Sequence, residues 1–238
     1  MFRTTDRKIA WFGIGLSALA LIPIFRDSNI QLISAYSIAF FALLAVFVVS
    51  VFRTSGPQFT TTSIIKTLTI HDAAGARASL KREQRIRVNY GSISELWCRN
   101  VYTEKGGTAD LFKIDDKAVP GFDLVNNGPY VDIRKRFAEP VFEGHEATAV
   151  WEYEVYNSFP ATHESLEHEV IVGTQWITLI VHLPVDRICL RTSLHLTAGG
   201  DAVDQLEDPT VSPDRKTITS GPLKSPKAGH TLRLSWDW

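Results

Sequence analysis

Cysteine is scarce, with only Cys98 and Cys189 in a chain of 238 residues. So low a count excludes a disulfide framework, leaves room for a single bridge at most, and fits a reducing compartment. The signatures of several enzyme classes are missing as well. There is no Gly-x-Ser-x-Gly elbow, no phosphate-binding P-loop and no glycine-rich nucleotide fingerprint, and neither cysteine stands beside a recognisable base. No catalytic residue and no cofactor is therefore expected, and the chain reads as a non-enzyme. Internal repeats and low-complexity tracts are absent too.

The most informative absence is one of charge. Two runs, Ile9 to Phe25 and Ile30 to Phe52, contain no Asp, Glu, Lys, Arg or His, and only Arg26, Asp27, Ser28 and Asn29 separate them. A spanning helix takes about 17–25 predominantly apolar residues, so the pair predicts a transmembrane hairpin with helices over about 9–25 and 30–52. A cleaved signal peptide is the nearest alternative, given Arg3, Arg7 and Lys8 before the first run and Ala18-Leu19-Ala20 within it. The apolar stretch continues past that site, however, and cleavage would leave the second run in place. Lys/Arg residues flanking the runs put both termini on the cytoplasmic side of the membrane, with the lipid bilayer as the first partner. Gly13 and Ser17, and Ala35, Ala39 and Ala42, make small-residue stripes suited to helix contact within the hairpin or between copies in a homo-oligomer. A run without charge offers no ion pathway, which excludes a dedicated transporter.

A linker over 54–63, with Gly56-Pro57 and Thr60-Thr61-Thr62-Ser63, leads to a β-rich domain over 64–238. Period-two alternation marks half-buried strands there. Ile86, Val88 and Tyr90 share a face, as do Trp151, Tyr153 and Val155, and as do Ile188, Leu190, Leu194 and Leu196. Trp176 to Leu183 forms an apolar strand closed by Pro184, and Leu232, Leu234, Trp236 and Trp238 alternate to the last residue. Turn signals at Asp72-Ala73-Ala74-Gly75, Gly106-Gly107, Asn126-Asn127-Gly128-Pro129 and Ala198-Gly199-Gly200-Asp201 separate these runs. The expected fold class is thus a two-helix transmembrane hairpin followed by an all-β antiparallel sandwich or barrel. Ala76 to Arg85 is the one stretch read as a short helix, with a further turn over Thr162 to His168. Of the five tryptophans in this domain, Trp97, Trp151, Trp176, Trp236 and Trp238, at least four are expected in the core.

Residues 54–238 hold 20 Lys/Arg against 24 Asp/Glu, an acidic balance that disfavours bulk nucleic acid as a partner. His163 and His168 flank acidic residues in a near-match to a zinc-protease motif, but the spacing is one residue too long for a helix turn and sends the two rings to opposite faces of a strand. No metal site is expected. What remains is arginine beside aromatic residues on strand faces: Arg85 with Arg87, Arg99 between Trp97 and Tyr102, Arg134 and Arg136 with Tyr130, and Arg187 and Arg191 with His195. The arginine fork suits phosphate, while ion pairing with the abundant Glu and Asp is the plainer role for any one of them.

In organisation, from the Ile9–Phe52 hairpin to the β-domain, the chain resembles the two-transmembrane, β-strand-rich effectors of bacterial cyclic-oligonucleotide antiphage systems. Asn157-Ser158-Phe159 followed by Glu164, and Val181-His182-Leu183-Pro184 followed by Arg187, look like features of one such β-domain type. The resemblance implies a sensor-effector whose β-domain binds a cyclic oligonucleotide and whose hairpin assembles to disrupt the inner membrane. The candidate ligand-binding residues are then Arg85, Arg87, Trp97, Arg99, Tyr102, Tyr153, Arg187 and Arg191. The alternative from the same residues is a constitutive anchor carrying a β-sandwich that binds a partner protein.

Overall fold

Period-two burial organises the chain from Phe59 onward. The computed structural model describes residues 40–46, 56–102, 108–127, 130–199 and 201–238. Sixteen strands follow in order: β1 (Phe59–Ile70), β2 (Arg77–Val88), β3 (Ser92–Tyr102), β4 (Thr108–Ile114), β5 (Lys117–Ala118), β6 (Leu124–Asn127), β7 (Tyr130–Phe142) and β8 (Glu146–Tyr156). The second half holds β9 (His163–Glu169), β10 (Trp176–His182), β11 (Arg191–Ala198), β12 (Asp201–Gln205), β13 (Thr210–Val211), β14 (Thr217–Thr219), β15 (Leu223–Lys224) and β16 (Thr231–Asp237).

Three sheets result. The largest runs β13-β14-β10-β1-β2-β8-β4-β5, with β15 also on β10; a four-stranded sheet runs β12-β11-β16-β9, and a three-stranded one β3-β7-β6. One hydrophobic core draws on all three, including Ile64 and Leu68 from β1, Ile133 from β7, Trp151 from β8, and Leu232, Leu234 and Trp236 from β16. The alternation expected for Trp151, Tyr153 and Val155 holds, each being buried while Glu152 and Glu154 are only partly covered.

Two features of the expected fold class are corrected. The two-helix hairpin is not found: the only α-helix among the described residues covers 40–46, and no described helix is long and apolar enough to cross a membrane. The run over 9–25 and the rest of 30–52 lie outside the described residues. Nor is the β-domain wholly antiparallel, because β1 pairs with β10 in parallel, Ile64 opposite Ile177 through Thr69 opposite His182.

Local expectations are revised in three places. Ala76 to Arg85 is strand rather than helix, since Ala78, Leu80, Gln84, Ile86 and Val88 are buried at a spacing of two, which an α-helix cannot put on one face. Thr162 to His168 is not a turn, since β9 begins at His163. β1 begins at Phe59, within the expected linker.

The Asp72 turn between β1 and β2 shapes the neighbouring rim. Asp72 Oδ1 accepts hydrogen bonds from the Ala74 and Ala76 amides, and Oδ2 from that of Arg77. These donors, Ala76 foremost, hold its carboxyl below the ordinary value. Gly75 has φ +65°, and a Cβ there would lie 1.6 Å from the Phe159 carbonyl oxygen. Only glycine lets the turn pass so close to the Phe159 backbone.

Candidate functional site

β1 and β2 carry a polar interruption in an apolar row. On β1, Lys66 is in phase with Ile64, Leu68 and Ile70; on β2, Arg82 and Gln84 are in phase with Ala78, Leu80, Ile86 and Val88. Lys66 and Arg82 are register partners and therefore neighbours on the inner face of the large sheet. They line a cleft of about 940 Å³, walled by β3 with Trp97, Cys98 and Arg99 and by β9 with Glu167 and His168, with Tyr130, Tyr153 and Phe159 completing an aromatic lining.

The Arg82 guanidinium is held without a carboxylate among the described residues. Its Nη2 donates to Gln84 Oε1 at 2.8 Å, its Nη1 points to Cys98 Sγ at 3.5 Å, and it lies 5.6 Å from the centre of the Trp151 ring. Gln84 is itself fixed, its Nε2 donating to Thr61 Oγ1 at 3.0 Å. The Arg82 Nε is buried, with no hydrogen-bond partner among the described residues. Across the cleft, Lys66 Nζ donates to the Glu167 carbonyl at 2.6 Å. Two of the cleft carboxylates have other partners, Glu167 accepting from Arg233 Nε at 2.6 Å and Glu95 from Trp97 Nε1 at 3.0 Å.

His168 is 6 % exposed and its Nε2 has no hydrogen-bond partner among the described residues. Burial, reinforced by the charges of Arg82 and Lys66, pushes its pKa well below the ordinary 6.5, so the ring is neutral at pH 7. Burial likewise raises the Tyr153 phenol, which stays protonated and able to donate.

Acid should therefore weaken the domain through His168. Above pH 6.5 the ring is neutral whether folded or unfolded. Below it the unfolded chain binds a proton that the buried ring refuses, and stability falls by up to about 1.4 kcal/mol per pH unit until the depressed folded-state pKa is reached. Urea melts from pH 7.5 to 5 should show a steeper loss for the wild type than for His168→Gln; parallel curves would refute a buried neutral imidazole.

The expected ligand residues divide. Trp97, Arg99 and Tyr153 line the cleft. Tyr102 ends β3, with its backbone opposite Tyr130. Arg85 and Arg87 are exposed, in phase with Arg77 and Lys81 on the outer face of β2. Arg187 sits elsewhere, its Nε donating to the Ala73 carbonyl at 3.1 Å and its guanidinium 5.3 Å from the Trp238 ring centre. Arg191 opens β11, exposed and opposite Asp237. Arg134 and Arg136 converge on buried Asp123, each at 2.9 Å. Arg134 also lies 5.3 Å from the centre of the Trp97 ring, supporting that cleft wall.

His163 and His168 do face opposite ways, one exposed and one buried, and among the described residues no group of three His, Cys, Asp or Glu is placed to hold a metal. Three tryptophans of the domain, Trp151, Trp236 and Trp238, are buried, whereas Trp97 borders the cleft and Trp176 is 38 % exposed. Lys66, Arg82 and His168 are the cleft residues that the arginine-aromatic pairs did not reveal. Their sequence signal is a cation in phase with aliphatic neighbours on a strand otherwise built for a core.

No family model matches the chain, and no curated protein does. Among solved structures it is similar to an M1 zinc metallopeptidase from Deinococcus radiodurans, at 11 % identity and a TM-score of 0.37, over 74 % of this chain and 42 % of that one. It is also similar to a Legionella pneumophila protein described as nutrient-binding, at 8 % identity and a TM-score of 0.43, over 75 % and 67 % of the two chains. A third similarity is to a protein described as a protease from Parabacteroides distasonis, at 10 % identity and a TM-score of 0.41, over 77 % and 41 %. The chain thus spans less than half the length of the metallopeptidase it matches. At these TM-scores no function transfers, and the site must be read from this chain's own residues.

Proposed function

We propose that the β-domain is a receptor for a cyclic oligonucleotide, a ligand that combines phosphodiester anions with bases able to stack. The observation that carries this reading is Arg82, a cation facing the cleft with neutral partners and an unused N–H, beside an aromatic lining of Trp97, Tyr130, Tyr153 and Phe159. Arginine donates in a planar fork suited to phosphate, and base–aromatic stacking contributes about 1–3 kcal/mol per base. Leu80 and Val155 add aliphatic surface to the same lining, and apolar walls strengthen an ionic contact beside them. An acidic domain with one inward-facing basic locus accepts a small anion while offering a poor surface to long nucleic acids.

Because the cleft is bordered by strands of all three sheets, an occupant contacts each of them at once and can bias how they sit together. A change in self-association would follow only from different affinities for two such arrangements.

Thermal melting of the purified full chain against cyclic di- and trinucleotides tests the assignment. A ligand at 100 times its dissociation constant stabilises by about 2.7 kcal/mol, or about 5–10 °C for a domain of this size. No shift with any member of the panel would sink the receptor reading in favour of a protein-binding module.

A further inference from the structure

We propose that Arg82, Lys66 and His168 form a seat for one tetrahedral oxyanion at the floor of the cleft. The proposal deepens the receptor reading, on which it rests only for what molecule carries the anion.

The seat is built from opposite walls. Arg82 and Lys66 rise side by side from the β1–β2 pair, and His168 belongs to β9 across the cleft. Like charges directly opposite on adjacent strands repel, and a half-buried position strengthens that repulsion. An anion between them turns the repulsion into attraction. Two nitrogens have unused hydrogen-bonding capacity here: Arg82 Nε and His168 Nε2, both buried and both without a partner among the described residues. Buried polar atoms without partners are uncommon in folded proteins and call for a missing one. The His168 side chain is more than nine-tenths buried and lines the same cleft as Arg82.

Donors placed on two walls match the separated oxygens of a tetrahedral group better than a planar carboxylate, which a single arginine fork satisfies in its own plane. The seat is also preorganised. Arg82 is tied to Gln84, Gln84 to Thr61, and Lys66 to the β9 backbone, so little side-chain freedom is lost on binding. Cys98 Sγ at 3.5 Å and the Trp151 ring at 5.6 Å hold the guanidinium from its other sides. Two of the carboxylates that line the cleft, Glu167 and Glu95, are engaged by Arg233 and Trp97.

The chemistry is shared by free inorganic phosphate and by a phosphodiester of a nucleotide, and binding experiments separate the two. The full chain is titrated at constant ionic strength with inorganic phosphate and with cyclic di-adenylate and cyclic di-guanylate, followed by tryptophan fluorescence and calorimetry. Wild type, Arg82→Gln, His168→Gln and the outer-face control Arg85→Gln are compared. Phosphate and one cyclic dinucleotide should compete for a single site. Arg82→Gln should weaken both by about tenfold or more, the loss of a charge-assisted contact, with a smaller loss in His168→Gln and none in Arg85→Gln. If Arg82→Gln does not fold, His168→Gln decides on the same criterion.

A cyclic dinucleotide that binds all four proteins equally would overturn the seat and leave the receptor reading standing. Phosphate that binds through Arg82 and His168 without competition from any nucleotide would uphold the seat and refute the nucleotide assignment. Absence of binding by every probe would overturn both.

Discussion

A chain that ends at His230 is expected to have no folded β-domain. The deleted strand, β16, is the inner member of its sheet, hydrogen-bonded to β11 on one edge and to β9 on the other. It delivers Leu232, Leu234, Trp236 and Trp238 to the core, none more than 7 % exposed. Truncating a buried Leu to Ala costs about 2–5 kcal/mol and a buried Trp about 3–5. Four such losses total about 10–20 kcal/mol, as much as or more than the roughly 5–15 kcal/mol that holds a domain folded. The Trp238 indole N–H also donates to the Ala161 carbonyl at 2.6 Å, tying the last residue to the approach to β9. Circular dichroism should report no cooperative melt for the truncated chain. A transition at the wild-type temperature would mean that this strand is not interior.

Trp151→Ala should be the most damaging of the single substitutions. Trp151 is fully buried on β8, opposite Arg82 of β2 and Ile114 of β4. Its loss leaves a void where the sheet's inner face meets the cleft and removes the ring beneath the Arg82 guanidinium. The expected cost is about 3–5 kcal/mol, which lowers the melting temperature by about 6–20 °C in a domain of this size. Trp151→Phe should cost less, because it keeps an aromatic ring in place and leaves a smaller cavity. Among the described residues the indole Nε1 has no hydrogen-bond partner, so its removal breaks no bond to them. Equal destabilisation by the two substitutions would show that the indole N–H has a partner after all.

Most of the β-domain was legible because its strands obey period two. Trp151, Tyr153 and Val155 of β8 and Leu232, Leu234 and Trp236 of β16 could be marked as inward because each alternates with polar or less apolar neighbours, although Ser235 between two of them is buried as well. Ile188 and Leu190 show where the pattern misleads. They continue the spacing of Leu194 but are 43 % and 59 % exposed, because β11 begins only at Arg191 and the segment before it is held by irregular bonds from Cys189 N to Arg215 O and from Leu190 N to Asp237 O. The parallel pairing of β1 with β10 was not legible at all, since local alternation says nothing about which distant strand becomes the neighbour.

The site was less legible than the fold, for a related reason. Arginine beside aromatic residues along the chain led to Trp97, Arg99 and Tyr153 on the cleft, but also to Arg85 and Arg87 on the outer face. Arg82 is three residues from Arg85, and an odd spacing on a strand reverses the side. Register with β1 then sets Lys66 next to Arg82, and β9 brings His168 from the second half of the domain. Only the pairing of strands reveals such a convergence.

The parallel pair has a consequence for how the chain is made. Ile64 leaves the ribosome long before Ile177, its partner in the sheet, and at about 5–20 residues per second the wait is roughly 6–23 s. During that interval β1 can pair with β2, while its other edge offers free amide and carbonyl groups to any strand nearby. Until β10 emerges, that unpaired edge is open to pairing with other strands, its own chain's or another's.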